Sequence, residues 1–169
     1  AVKNSTTQKR LKILGDEEIE TFFGKPNFTK EERVEYFLLS SIEKSVLEEF
    51  HSVKSKMYFI LQLGYFKAKH LFFIFTFQEV QEDVNYIKEQ YFQDFQLFDS
   101  EISKITRLKQ QQLILKLRKY TICGEQQRQQ LDIKAKQLAM LSAKPIYIFR
   151  ELMKYLEQYH ITIPGYSFL

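Results

Sequence analysis

Basic and amide side chains crowd one stretch of this chain, and their chemistry is that of polyanion recognition. Between Ile102 and Gln137 stand nine cations, Lys104, Arg107, Lys109, Lys116, Arg118, Lys119, Arg128, Lys134 and Lys136, against two acids, Glu125 and Asp132. Gln110, Gln111 and Gln112 lie among them and add amide donors and acceptors. Arg and Gln are side chains that bond guanine and adenine edges in a major groove, whereas Lys neutralises phosphate and positions a helix without choosing a sequence. The preceding stretch, Glu79 to Glu101, is the reverse, with seven acids opposed only by Lys88. A formal net charge of +4 conceals this sorting, which concentrates positive potential over one segment and favours a polyanionic partner.

Wound as a helix at about 100° per residue, Ile102 to Tyr120 places Lys104, Arg107, Gln111 and Arg118 on one face. Ile102, Leu113, Leu117 and Tyr120 fall opposite. The reading is a polar, basic stripe backed by a core stripe. Arg107 and Gln111 are then base-edge candidates, with Lys104, Lys109, Arg118 and Lys119 on phosphates. A merely solvated helix surface has the same composition, because Lys, Arg and Gln are good helix formers. A helical protein-interaction or dimerisation module, in which the acidic block of one copy meets the basic block of another, satisfies the same pattern without nucleic acid.

Other chemistry finds little support. His51, His70 and His160 are scattered, with no second His or Cys at metal-ligand spacing. There is no phosphate loop, dinucleotide glycine fingerprint or Gly-x-Ser-x-Gly elbow. The acids Asp16, Glu17 and Glu18, like Glu31 and Glu32, sit where first helical turns favour negative charge. We therefore expect a binding module with no catalytic residue, no metal and no cofactor. The lone Cys123 excludes an intramolecular disulfide and suits a reducing cytosol. The apolar runs Met57 to Leu61 and Leu71 to Phe75 fall short of the roughly 20 residues a membrane span needs, and no leader pattern opens the chain. A cytoplasmic protein with no membrane partner is expected.

These side chains need a scaffold, and 169 residues, 44% hydrophobic and 15% aromatic, suffice to bury one. Helix starts are marked where a hydroxyl precedes a Glu by three residues: Thr29 with Glu32, Ser40 with Glu43, Thr76 with Glu79. Helices are predicted near residues 16–23, 29–38, 40–50, 54–70, 77–92, 100–119, 125–142 and 145–159, the last opened by Pro145. Only Leu71 to Phe77 reads as an aromatic run that could be extended. The fold class is all-α, a compact multi-helix array. Two packed helical subdomains with helix-turn-helix-like elements are expected, residues 1–95 and 96–169. The segment Lys54 to Lys69 is apolar almost all round, the pattern of a central helix. Its terminal lysines, Lys54, Lys56, Lys67 and Lys69, would reach solvent and form a second phosphate surface.

The order of short motifs adds a resemblance. Arg10, Leu11, Ile13 and Leu14 lead into Asp16, Glu17 and Glu18; Tyr36 to Ser40 follows, then Phe59-Ile60-Leu61-Gln62-Leu63-Gly64-Tyr65-Phe66. Thr106-Arg107 with Lys109 and Ile114 comes next, Gln110 standing where the family commonly has His, and Ile163-Pro164-Gly165 closes the series. In this order they resemble the N-terminal DNA-binding (DUF4158-like) region of replicative bacterial transposases of the Tn-three family. The resemblance implies helical subdomains that recognise the transposon's terminal inverted repeats during transposition. It also implies a much longer polypeptide, whose remainder is a partner and whose catalytic Asp, Asp and Glu lie in a separate downstream domain. The absence of an initiating Met fits such a piece.

Overall fold

In the computed structural model, which describes residues 14–94 and 101–165, eight helices follow one another. They are α1 (Asp16–Phe23), α2 (Lys30–Tyr36), α3 (Ser41–Leu47), α4 (Val53–Lys69), α5 (Gln81–Tyr91), α6 (Lys104–Arg118), α7 (Glu125–Leu141) and α8 (Pro145–Gln158). Among the described residues no strand forms, and one isolated parallel bridge pairs Thr121 with Ile161. The all-α array is what the chain adopts. Thr29 with Glu32 and Ser40 with Glu43 make their reciprocal capping bonds. Thr76 and Glu79 exchange the same pair of bonds, 3.3 and 3.4 Å, yet α5 begins only at Gln81. There the box closes a turn, because Val80 leaves helical geometry at φ −117°, ψ 34°. The aromatic run from Leu71 joins no sheet; it is an irregular strap whose Phe72, Phe73, Phe75 and Phe77 pack on the core.

α4 is the centre. Every residue from Met57 to Phe66 is buried, Gln62 and Gly64 included, and α2, α5 and α6 pack around it. Each large apolar side chain so enclosed is worth roughly 1.5–3 kcal/mol relative to exposure. Gly64 lets the end of α2 come close, since a Cβ there would lie 2.4 Å from the Phe37 ring. A polar tie fixes the same neighbours. Arg33 on α2 donates from Nε to Asp83 at 2.8 Å and from Nη2 to Glu82 at 2.9 Å. The Tyr65 hydroxyl of α4 donates to the other Asp83 oxygen. A buried carboxylate is tolerated only when paired and hydrogen-bonded, so Asp83 on α5 holds three helices in register.

Among the described residues two hydrophobic cores form, the first reaching to Tyr120 and the second beginning at Cys123. Ile114 and Leu115 of α6 lie in the first core with α4, whereas Cys123, Leu131, Leu138, Leu152, Leu156 and Ile161 form a second under α7 and α8. The change in charge near residue 95 therefore does not coincide with the change of core. α1 reaches α8, the Phe22 ring meeting Phe149 edge-on at 5.2 Å.

Among the described residues three non-glycine positions adopt positive φ, and all three gather at one seam: His70 ends α4, Lys119 ends α6 and His160 follows α8 (φ 57°, 56° and 51°). Left-handed backbone costs a residue with a Cβ about 1–2 kcal/mol, and here ring stacking offsets it. Tyr120 is sandwiched between His70 and His160, each centroid 5.0 Å away, with Phe66 edge-on at 5.2 Å. Beside the stack, Thr121 donates to His160 O (2.8 Å), Thr162 to Thr121 O (2.9 Å) and Ile163 to His70 O (3.0 Å). Burial holds the His70 imidazole below its ordinary 6.5, with Arg118 and His160 pushing the same way and Glu157 opposing.

Two outcomes follow from these contacts. Gly64→Ala should lower unfolding free energy by about 1–3 kcal/mol through overpacking against Phe37, read by denaturant titration. A depressed base binds fewer protons folded than unfolded, so the stability His70 contributes is present in full above pH 6.5 and is lost as pH falls below it. Thermal melting should weaken on acidification through this window, and His70→Asn, which keeps a residue tolerant of left-handed backbone, should flatten the trend.

Candidate nucleic-acid interface

α6 starts where Ser103 accepts from the Thr106 amide at 3.2 Å and ends at the left-handed Lys119. Its inner face is set by α4, and the fit is polar at the seam. Gln110 is 0% exposed; its amide donates to Ser55 O at 2.9 Å while its oxygen accepts from Gln62 Nε2 at 2.9 Å. Gln111 is half-buried and donates to Gln62 Oε1 at 3.3 Å. Gln62 also approaches the Arg107 carbonyl at 3.5 Å. A buried amide left unpaired costs about 1–3 kcal/mol, so the three glutamines are complementary by necessity.

This arrangement turns the expected reading face of α6. Arg107, Gln110 and Gln111, proposed from the sequence to meet base edges or supply amides to them, point toward the protein. Gln110 is sealed, Gln111 is engaged, and Arg107 is half-buried with an Nε out of reach of solvent. The Arg107 charge acts on the Tyr58 hydroxyl, opposing the upward push that burial gives that phenol. Ile102, Leu113, Leu117 and Tyr120 do pack on the core as expected, but the buried arc is wider, running through Gln110 and Ile114 to Arg107.

The outward face consists of Lys104, Ile105, Leu108, Lys109, Gln112, Lys116 and Lys119, all exposed. Arg118 is exposed at the helix end. Lys104, Lys109, Arg118 and Lys119 are thus accessible as the sequence suggested, and Lys116 and Gln112 join them. None of these five lysines and arginines, Lys104, Lys109, Lys116, Arg118 or Lys119, makes an ion pair among the described residues. The alignment of Lys109, Lys116 and Lys119 with Ile105 was readable at helical spacing; it was obscured because Ile105, 69% exposed, and Leu108, 44% exposed, look like core residues.

The lysines of α4 behave differently from expectation. Lys67 lies 3.0 Å from the buried Glu43 carboxylate, the two side chains 12% and 8% exposed, and donates to Leu38 O at 3.1 Å. Lys54 donates to Glu101 O at 3.2 Å and Lys56 pairs with Glu48 at 3.6 Å. Lys69 donates to Thr21 O on α1. These ammonium groups tie α4 to its surroundings because a helix buried along its middle must anchor at its ends, and together they do not form an open phosphate surface.

Within the acidic stretch, Glu82 and Asp83 bind Arg33 of α2. The remaining cationic helix, α7, pairs Lys136 with its own Asp132 at 3.0 Å. Among the described residues no group of three or more His, Cys, Asp or Glu side chains is placed to hold a metal ion, and no helix is long and apolar enough to cross a membrane. Substitution separates the two faces of α6. Gln110→Ala should cost about 1–3 kcal/mol by stranding Gln62, whereas Gln112→Ala should stay within about 0.5 kcal/mol, both by chemical denaturation.

A family model described as a domain of unknown function, DUF4158, matches residues 13–169. No curated protein and no solved structure matches the chain.

Proposed function

The chain belongs to the DUF4158 family, and from that premise we propose that it is a duplex-DNA-binding module of a Tn-three-type transposase, recognising terminal inverted repeats during transposition. One observation carries this reading: Lys104, Lys109, Lys116 and Lys119 are exposed on the outer face of α6 with no carboxylate of the described residues neutralising them. An unpaired row of ammonium groups on a rigid helix has phosphate neutralisation and counterion release available to it without first breaking internal ion pairs. The order of sequence motifs shared with that transposase region supports the same assignment. The chain then acts by binding, in the bacterial cytoplasm, while the rest of the transposase polypeptide carries the reaction.

The division of labour on α6 changes with the structure. Lys104, Lys109, Lys116, Arg118 and Lys119 hold backbone phosphates, and Gln112 is the exposed amide of the three consecutive glutamines. Arg107, Gln110 and Gln111 act indirectly, by fixing the roll of α6 on α4. Ile105 and Leu108, exposed between the lysines, favour a second reading in which this face docks on another protein or a second copy.

Fluorescence anisotropy with duplexes selected from a random pool decides between them. Log affinity should fall linearly with log salt, and Lys109→Ala and Lys116→Ala should each lower the slope by about one and weaken all sequences alike. Salt-sensitive self-association in sedimentation, with no duplex retained at low salt, would establish the protein-docking alternative instead.

A further inference from the structure

We infer that the cleft between α1, the C-terminal end of α4 and α8 is a second contact surface for the same DNA, receiving backbone phosphates of the strand that leaves α6. This rests on the duplex-binding reading above.

The cleft encloses about 450 Å³. Lys69, Arg150 and Lys154 line it against a single acid, Glu157, over a floor that includes Phe22 and Met153. Lys69 spends one N–H on Thr21 O and keeps two for a ligand. Arg150 is exposed and makes no ion pair or hydrogen bond among the described residues. Lys154 pairs with Glu151 at 3.1 Å but remains 72% exposed, the regime in which such a pair contributes little and exchanges readily for a phosphate. The three cations come from two separate helices, so the fold converges them on one place.

Two further features select the occupant. The cleft is joined to α6 through the ring stack: His70 lines it and lies 5.0 Å from Tyr120, the residue next to Lys119. Arg118 is near enough to disfavour the His70 imidazolium. Cationic side chains thus stand on either side of the stack, Arg118 at the end of α6 and Lys69, Arg150 and Lys154 in the cleft, with Glu157 the acid near the junction. The cationic groups also stand at the surface on long side chains, an arrangement suited to successive phosphodiesters, which position a protein without base readout. A small free anion is better served by buried, preorganised donors.

The test uses the whole chain, a selected duplex, salt-dependent anisotropy and hydroxyl-radical footprinting. Arg150→Ala, which breaks no ion pair, should lower the salt slope by about one, and Arg150→Ala with Lys154→Ala by about two. The footprint should shorten on one flank, with thermal melting unchanged. If both variants keep the full slope and footprint while Lys109→Ala still lowers the slope, the cleft is not a DNA contact and the α6 interface stands alone. If the unsubstituted chain retains no duplex, both readings fall. Saturable binding of inorganic phosphate, lost in Arg150→Ala without any change in DNA binding, would make the cleft a small-anion site and overturn the inference.

Discussion

A helix buried on every side must be covered on every side, and α4 imposes that demand on the rest of the molecule. Ten consecutive residues, Met57 to Phe66, are withdrawn from water, so α2, α5, α6 and the aromatic strap after Leu71 exist in part to enclose them. The enclosure contains polar groups, and polarity makes it specific. Gln62 presents an amide toward α6 that an apolar helix would leave stranded, and Gln110 and Gln111 answer it. Asp83, Arg33 and Tyr65 do the same toward α2 and α5. Hydrophobic burial sets how strongly the helices associate; these buried hydrogen bonds set how each is rolled about its axis.

Much of the helical order was legible because local signals agree with the tertiary outcome. The Ser and Thr capping boxes, Gly124 before α7 and Pro145 at the start of α8 each act within a few residues, and the helices they announce are present. The central position of α4 was legible from its composition. What escaped was information held by another segment. The wheel of α6 was phased on its own apolar residues, but Ile105 and Leu108 face outward while Gln110 faces inward, because the surface opposite contains Gln62. Nothing within residues 102–120 records that. The partners of the α4 lysines were hidden for the same reason: Leu38 O, Thr21 O and Glu101 O, which receive three of them, are brought near only by the fold. The Thr76 box misled in a smaller way, forming as read yet closing a turn instead of opening α5.

Charge sorting along the sequence has a structural counterpart, though a partial one. Glu82 and Asp83 bind Arg33 of α2, and neither pairs with a cation of α6. An exposed cationic face of this kind is sustained by what does not meet it. Had α5 been packed one helix further round, Glu82 or Asp83 would quench the same lysines. The outer face of α6 thus depends also on the α2–α4–α5 tie, and its electrostatics are a property of the packing.

The bridge of Thr121 to Ile161 places the two ends of residues 121–161 side by side, with Ile163 fastened to His70 at the end of α4. The α7–α8 hairpin therefore leaves the main body and returns to it through a single doorway. Away from the doorway, Phe149 of α8 meets Phe22 and Phe23 of α1, so the excursion is held at its ends by backbone bonds and along α8 by aromatic packing. The doorway, with its two left-handed histidines around Tyr120, is thus where the chain's entry into the second core and its exit from it are fixed together.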